Sequence, residues 1–400
     1  MTTPVLNIVC LAIDGLRASA LGAYGNTWFD TPELDRFASR ALTVDFTLSD
    51  ARGMGSAYRV LWQAAHCLRP DTVSPTRPAL IQLCVDRGYR TCLVTDEPAL
   101  VELPLATAFH EIVHVKPARS PSTAKRIEQT QVARIMGEAA ARMEDLAASQ
   151  EPFVLWVHSQ GMTAPWDAPL YLRQQLADAE DPSPGEDADV PCLVLESDHD
   201  PDWLFSLACG YAAQVMALDA SVGALCRYLD ECDASEATVL TLVGTAGFPL
   251  GEHAVVGAAA PCLYSESLHV PWLIRVPSRA ETLGRTPALA HLADLPATLA
   301  QVLHWDAPFG TSDGRSLRIR ASDPLDPGRD HLCVADAAGR LGLRTSDWYY
   351  VRAASKQARL FVKPDDRWEV NDVSDRCRDV VDALDRVLET EAARLRLALP

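Results

Sequence analysis

Val5-Leu6-Asn7-Ile8-Val9-Cys10-Leu11-Ala12-Ile13 runs straight into Asp14-Gly15-Leu16-Arg17. The run is almost wholly apolar and rich in β-branched residues, the pattern of a strand buried on both faces of a sheet. Open α/β sheets gather their ligand groups at the carboxyl ends of such strands, so Asp14 is the first candidate site residue. Similar short runs recur at Thr91–Thr95, Glu111–Val115, Phe153–His158, Thr238–Gly244 and Trp272–Val276. Between them apolar residues fall three and four apart. Helices are expected from Thr31-Pro32 to about Ala41, over Ser122–Ala148 and Trp203–Cys232, and over Ala288–Leu303 with a kink at Pro296. Strands alternating with helices predict a mostly parallel central sheet covered on both faces, an α/β/α sandwich.

Past Phe309 the rhythm changes. Short strand-like runs at His331–Ala335, Arg340–Arg344, Trp348–Val351 and Leu360–Lys363, separated by turn residues, predict a small antiparallel meander. An amphipathic helix over Asp375–Leu397 closes the chain. The expected division is an α/β domain over residues 1–308 and a C-terminal antiparallel subdomain with its helix over 309–400.

The 400 residues are 48% hydrophobic and 22% charged, which fits a folded globular chain and excludes extensive disorder. No apolar run reaches the ~18–20 residues that cross a bilayer. Met1-Thr2-Thr3-Pro4 lacks the basic start of a signal peptide. With 36 basic and 54 acidic residues the net charge is −18, the wrong sign for neutralising phosphates, so neither nucleic acid nor an anionic membrane is an expected partner. The acid is uneven: residues 178–202 hold ten carboxylates, four prolines and no lysine or arginine, which predicts a long surface loop or lid. The eleven cysteines are scattered through apolar stretches with no CxxC pair, which points to reduced thiols and a cytoplasmic protein.

Several stretches in order carry a resemblance. Leu21-Gly22-Ala23-Tyr24-Gly25-Asn26 and Thr31-Pro32-Glu33-Leu34-Asp35-Arg36 follow Asp14. Gly88-Tyr89-Arg90-Thr91 precedes a strand, and Phe153–His158 ends on a histidine. Tyr211, Asp219 and Gly223 lie on the long helix, followed by Leu250-Gly251-Glu252-His253 and Asp294-Leu295-Pro296-Ala297-Thr298-Leu299. The tail carries Lys363-Pro364-Asp365-Asp366 and Glu369-Val370-Asn371-Asp372. Together these resemble the sulfatase family of the alkaline phosphatase superfamily over essentially the whole chain, and the resemblance implies that superfamily's α/β/α fold.

The resemblance also implies a chemistry: hydrolysis of sulfate esters by a formylglycine made from Cys or Ser, a calcium ion held by acidic and amide side chains, and Lys, His and Arg around the sulfate. A hard cation with six to eight oxygen ligands stabilises the transferring group, and the cations complement its charge. Matched to that pattern, Asp14, Arg59 and His158 are retained. The second carboxylate beside Asp14 is Gly15, and the nucleophile position is Gly55, which has no side chain to convert. Ser56, one residue on, is the alternative hydroxyl, about 100° away if the segment is helical. Thr95 and Glu97 stand at the family's lysine and histidine positions. Thr245 and Ala246 replace expected metal ligands, and the later lysine position falls within Ala258–Pro261.

Each remnant has two readings. Asp14 is a ligand remnant or a cap on the following turn. Arg59 binds an anion or pairs with Asp14. His158, Glu252 and His253 contact substrate or hold loops. The leading expectation is a catalytically impaired member of the family, a pseudoenzyme, binding a small anionic ligand or a protein partner with no cofactor. One alternative is an active metal-dependent sulfuric or phosphoric ester hydrolase whose site is rebuilt from Glu97, His158, Glu252, His253 or the acidic loop, with calcium or another divalent metal. The other is a structural or assembly protein, with oligomers formed through the acidic loop and the meander.

Overall fold

The computed structural model describes residues 5–50, 53–69, 78–117, 122–232, 235–277, 284–306, 309, 312–317 and 328–396. In chain order the strands are β1 (Asn7–Ile13), β2 (Leu42–Leu48), β3 (Arg90–Thr95), β4 (Glu111–His114), β5 (Phe153–Ser159), β6 (Leu193–Val194), β7 (Thr238–Gly244), β8 (Val255–Val256), β9 (His269–Val270), β10 (Trp272–Arg275) and β11 (Gly284–His291), then β12 (His331–Ala335), β13 (Leu341–Thr345), β14 (Trp348–Arg352) and β15 (Ala358–Val362). The main sheet runs β11-β2-β10-β7-β1-β5-β3-β4, with β9 paired to β2. Its β7-β1-β5-β3-β4 half is wholly parallel, while β10 runs antiparallel to both β7 and β2. β12 to β15 form a separate antiparallel sheet in sequence order.

β1 is central and buried on both sides, as its apolar run requires. Val9, Leu11 and Ile13 join one core with the helices Gln131–Ala148 and Pro201–Glu231. Ile8, Cys10 and Ala12 join the other, with Met54–Gln63, Leu80–Val85, Asp294–Val302 and the C-terminal Arg378–Arg396. The period of two along the strand thus feeds two cores at once.

Four expectations need correction. The helix expected from Ser122 begins at Gln131, where the Thr130 hydroxyl caps the N–H of Ala133. No helix covers Ala288–Leu303: residues to His291 form β11, and the helix starts at Asp294, whose carboxylate accepts the N–H of His291. Pro296 therefore lies in the first turn, where its missing N–H is harmless, and makes no kink. The expected absence of any span-like run also meets Pro201–Glu231, long and apolar enough by composition to cross a membrane, yet 78% of its apolar window is buried inside the protein. Finally, the closing helix is Arg378–Arg396, and Leu397 lies outside the described residues. So do residues 307, 308, 310 and 311, which flank the expected boundary at 308/309.

Candidate functional site

Strand register brings the site together. Ala12 pairs with His158, which pairs in turn with Thr95, and Ile13 pairs with both Ser159 and Gly244. The residues that follow these partners, Asp14, Asp96, Gln160 and Thr245, therefore emerge at one end of the sheet. Backbone bonds lock the ends in place: Asp14 N–H to the Ser159 carbonyl, and Thr245 N–H to the Ile13 carbonyl, both 2.9 Å.

Asp14 is partly buried there, and neutral donors surround it. Its Oδ1 accepts from the Thr245 hydroxyl at 2.8 Å and from the N–H of Gly15 at 3.1 Å. The Thr163 hydroxyl lies 3.3 Å from Oδ2 and 2.8 Å from the Gln160 carbonyl oxygen. Burial pushes the Asp14 carboxyl above its ordinary range, against the pull of these donors. Asp14 and Arg59 form no pair. The Arg59 Nη2 donates to the carbonyl of Arg69 at 3.1 Å, because the helix Met54–Gln63 carries it toward that loop.

His158 is sealed. Its Nδ1 meets the Tyr58 hydroxyl at 2.7 Å, and that oxygen also accepts from Trp156 Nε1 at 3.4 Å. Tyr58, Trp62 and Trp156 are fully buried and pack edge-on or tilted against one another, and the Tyr58 ring meets that of His158 edge-on. Burial drags His158 down to about 3, so it is neutral at physiological pH and brings no charge to an anion. Its Nε2 has no partner among the described residues. Ser56 Oγ is likewise buried without one, while Gly55 is exposed and, among the described residues, a Cβ there would meet Leu103 Cδ2 alone, at 3.8 Å.

Asp96 is a member the motif comparison passed over. It is fully buried, its Oδ1 accepts the N–H of Gln160 at 2.8 Å, its Oδ2 has no partner among the described residues, and burial pushes it up to about 7. The signal was available: the end-of-strand rule that singles out Asp14 applies equally to the residue after β3. Next to it, Glu97 caps the turn Pro98–Val101 by accepting from Ala99 N–H and also holds Gln160 Nε2.

Glu252 and His253 hold structure. Glu252 pairs with Arg17 at 2.6 Å, which keeps its carboxyl low in spite of burial. His253 stacks on Tyr264 with centroids 3.6 Å apart and bridges Glu266 Oε1 and the Glu369 carbonyl. The acidic loop is pinned as well: buried Arg173 donates to the carbonyls of Gly185 and Asp187, and β6 pairs with β8.

A calcium cage needs several anionic oxygens, and the residues around Asp14 do not fit one. Gly15 sits at φ +71°, and a Cβ there would lie 2.7 Å from the Met162 Cβ, so the position has no room for a second acid. Among the described residues, metal-ligating side chains converge elsewhere, at Asp50, His66 and His291. There every ring nitrogen already has a partner. His291 Nε2 is 3.0 Å from Asp50 Oδ2 and His66 Nε2 is 2.8 Å from the Cys333 carbonyl, while the two Nδ1 atoms accept from Ala293 and Leu68 N–H. The trio is a clasp between the main sheet and β12.

The sulfatase family profile matches residues 6–305. The chain belongs to the sulfatase family. Human iduronate 2-sulfatase is 23% identical over 397 residues, covering 84% of this chain and 67% of that protein. Among solved structures, one determined with its substrate D-glucosamine-2-N,6-O-disulfate superposes with a TM-score of 0.79 at 15% identity, covering 98% of both chains. The phosphonate monoester hydrolase of Agrobacterium radiobacter gives 0.78 at 16% identity, covering 98% of this chain and 96% of that one. These neighbours share the mixed α/β architecture, with its large mostly parallel sheet and small antiparallel sheet.

Proposed function

We propose that this sulfatase-family protein is catalytically impaired and acts by binding a small anionic ligand or a protein partner. The observation that carries the reading is Asp14: hydroxyl and amide donors occupy its carboxylate where the family's chemistry puts a cation. Gly55 at the nucleophile position and a neutral, sealed His158 support it. Without an attacking group or a metal-held charge, neither nucleophilic nor electrostatic catalysis has its agent. Eleven free cysteines support a cytoplasmic, reducing setting.

A second reading, an ester hydrolase with a rebuilt site, draws on Asp96, whose carboxyl sits near 7 beside Glu97 at the same sheet end. The test is metal analysis of purified, untagged protein together with aryl sulfate and aryl phosphate assays. The impaired reading expects no stoichiometric metal and no turnover above background. Turnover abolished by Arg59→Ala or His158→Ala would establish the hydrolase instead.

A further inference from the structure

We propose that the cleft between strand β2 of the main sheet and the C-terminal sheet is a second binding site, for a small organic anion: one carboxylate, sulfate or phosphate on an apolar body bearing a hydroxyl. The site goes beyond the reading of the Asp14 centre and stands whether or not that centre turns over.

The cleft holds about 260 Å³, and Asp14, Arg59 and His158 do not line it. Leu48 and Leu268 give it an apolar wall, and Trp368, 45% exposed, stands at its mouth. Three acids line it, each with a cationic or protonatable partner. Asp45 pairs with Arg285 at 2.6 Å, Glu369 with Lys363, and Glu266 with His253 at 2.7 Å. Two cations are left over. Among the described residues, neither Arg344 nor Arg367 pairs with a carboxylate.

Arg344 is the decisive one. It is 7% exposed, stands 5.6 Å over the Phe46 ring, and donates through Nη1 to the carbonyls of Thr345, Ser346 and Trp348. The Glu369 and Asp347 carboxylates act on it only from beyond contact distance, and a buried guanidinium without a direct counter-charge is costly. Burial accordingly pulls it down to about 10. An anion entering the cleft supplies the missing charge, and guanidinium groups suit planar or tetrahedral oxyanions. Arg367 lies at the mouth, 5.1 Å over the Trp368 ring, which leaves the ligand body against Leu48, Leu268 and the indole. Glu266 Oε2, buried without a partner among the described residues, is an acceptor for the hydroxyl. The size and the few polar groups in an apolar wall are those of a small-molecule pocket.

The test titrates the full chain by calorimetry with para-hydroxybenzoate, para-hydroxyphenyl sulfate and para-hydroxyphenyl phosphate, which separate the three oxyanions. We expect one-to-one binding of at least one of them with Kd below about 1 mM. Arg344→Gln and Arg367→Ala should each weaken it about tenfold or more, and Arg59→Ala should leave it unchanged. Arg367 is exposed, so its variant reports even if Arg344→Gln fails to fold. Failure of all three probes to bind, or binding indifferent to Arg367→Ala, overturns the proposal. Binding lost in Arg59→Ala but kept in Arg367→Ala places the anion at Arg59, outside the cleft, and overturns it too.

Discussion

The Tyr58 hydroxyl lies 2.7 Å from Nδ1 of His158, with both side chains withdrawn from solvent. Tyr58 stands three positions along the same helix from Gly55. Tyr58→Phe keeps the ring packing and removes only the hydroxyl, leaving His158 and the Trp156 indole without their partner. Urea unfolding should show a loss of about 1–3 kcal/mol. An unchanged midpoint would mean the hydroxyl does not satisfy His158.

Thr245→Val removes the nearest donor to Asp14. The Asp14 carboxyl is already raised above 3.8 by burial, so its ionisation lowers stability progressively as pH climbs from 3.8 through its folded value. The variant should widen that loss by about 1–2 kcal/mol at pH 7 and behave like the parent below about pH 3.5. EDTA should leave the parent's melting midpoint where it is. Equal destabilisation at both pH values would argue against the hydrogen bond as the cause.

Asp96 gives a sign test of its own. Burial lifts it from 3.8 to about 7, so the folded state holds a proton that the unfolded chain releases earlier. Stability therefore falls between those two values and levels off above them. Asp96→Asn keeps the acceptor for Gln160 N–H and removes the charge. It should stabilise the protein at pH 8 by on the order of 1 kcal/mol or more, with no gain below about pH 4. A variant less stable than the parent at pH 8 would show that the carboxylate has a partner there.

Asp50 is held below its ordinary range by His66 and His291, which outweigh burial, and its Oδ1 accepts the N–H of Ala335. A depressed carboxyl contributes stability that is present above 3.8 and lost as pH falls through the folded value. Burial also keeps His66 low, and this adds to acid lability. Asp50→Ala should cost about 3–5 kcal/mol and speed amide exchange in His331–Ala335 more than in β1. Uniform acceleration in both would remove the clasp from the explanation.

The fold was legible because β1 and its parallel neighbours are continuous apolar runs, which periodicity detects well. Strand β2 escaped because Leu42–Leu48 mixes Thr and Asp with apolar residues and is only partly buried. β11 escaped because Ala288–His291 reads equally as the start of the helix that follows. Motif spacing singled out Asp14, Arg59 and His158 as candidates. Their partners could not be found that way: Thr163 and Tyr58 meet them only through the register of β1, β5 and the helix Met54–Gln63, contacts spanning about a hundred residues or more.

The tight approach of Met162 to Gly15 closes that position to any side chain. An aspartate introduced there would collide with the turn after β5 before it could attract an ion. A second carboxylate beside Asp14 would need coordinated changes on two loops, so the turns after β1 and β5 can vary here only together.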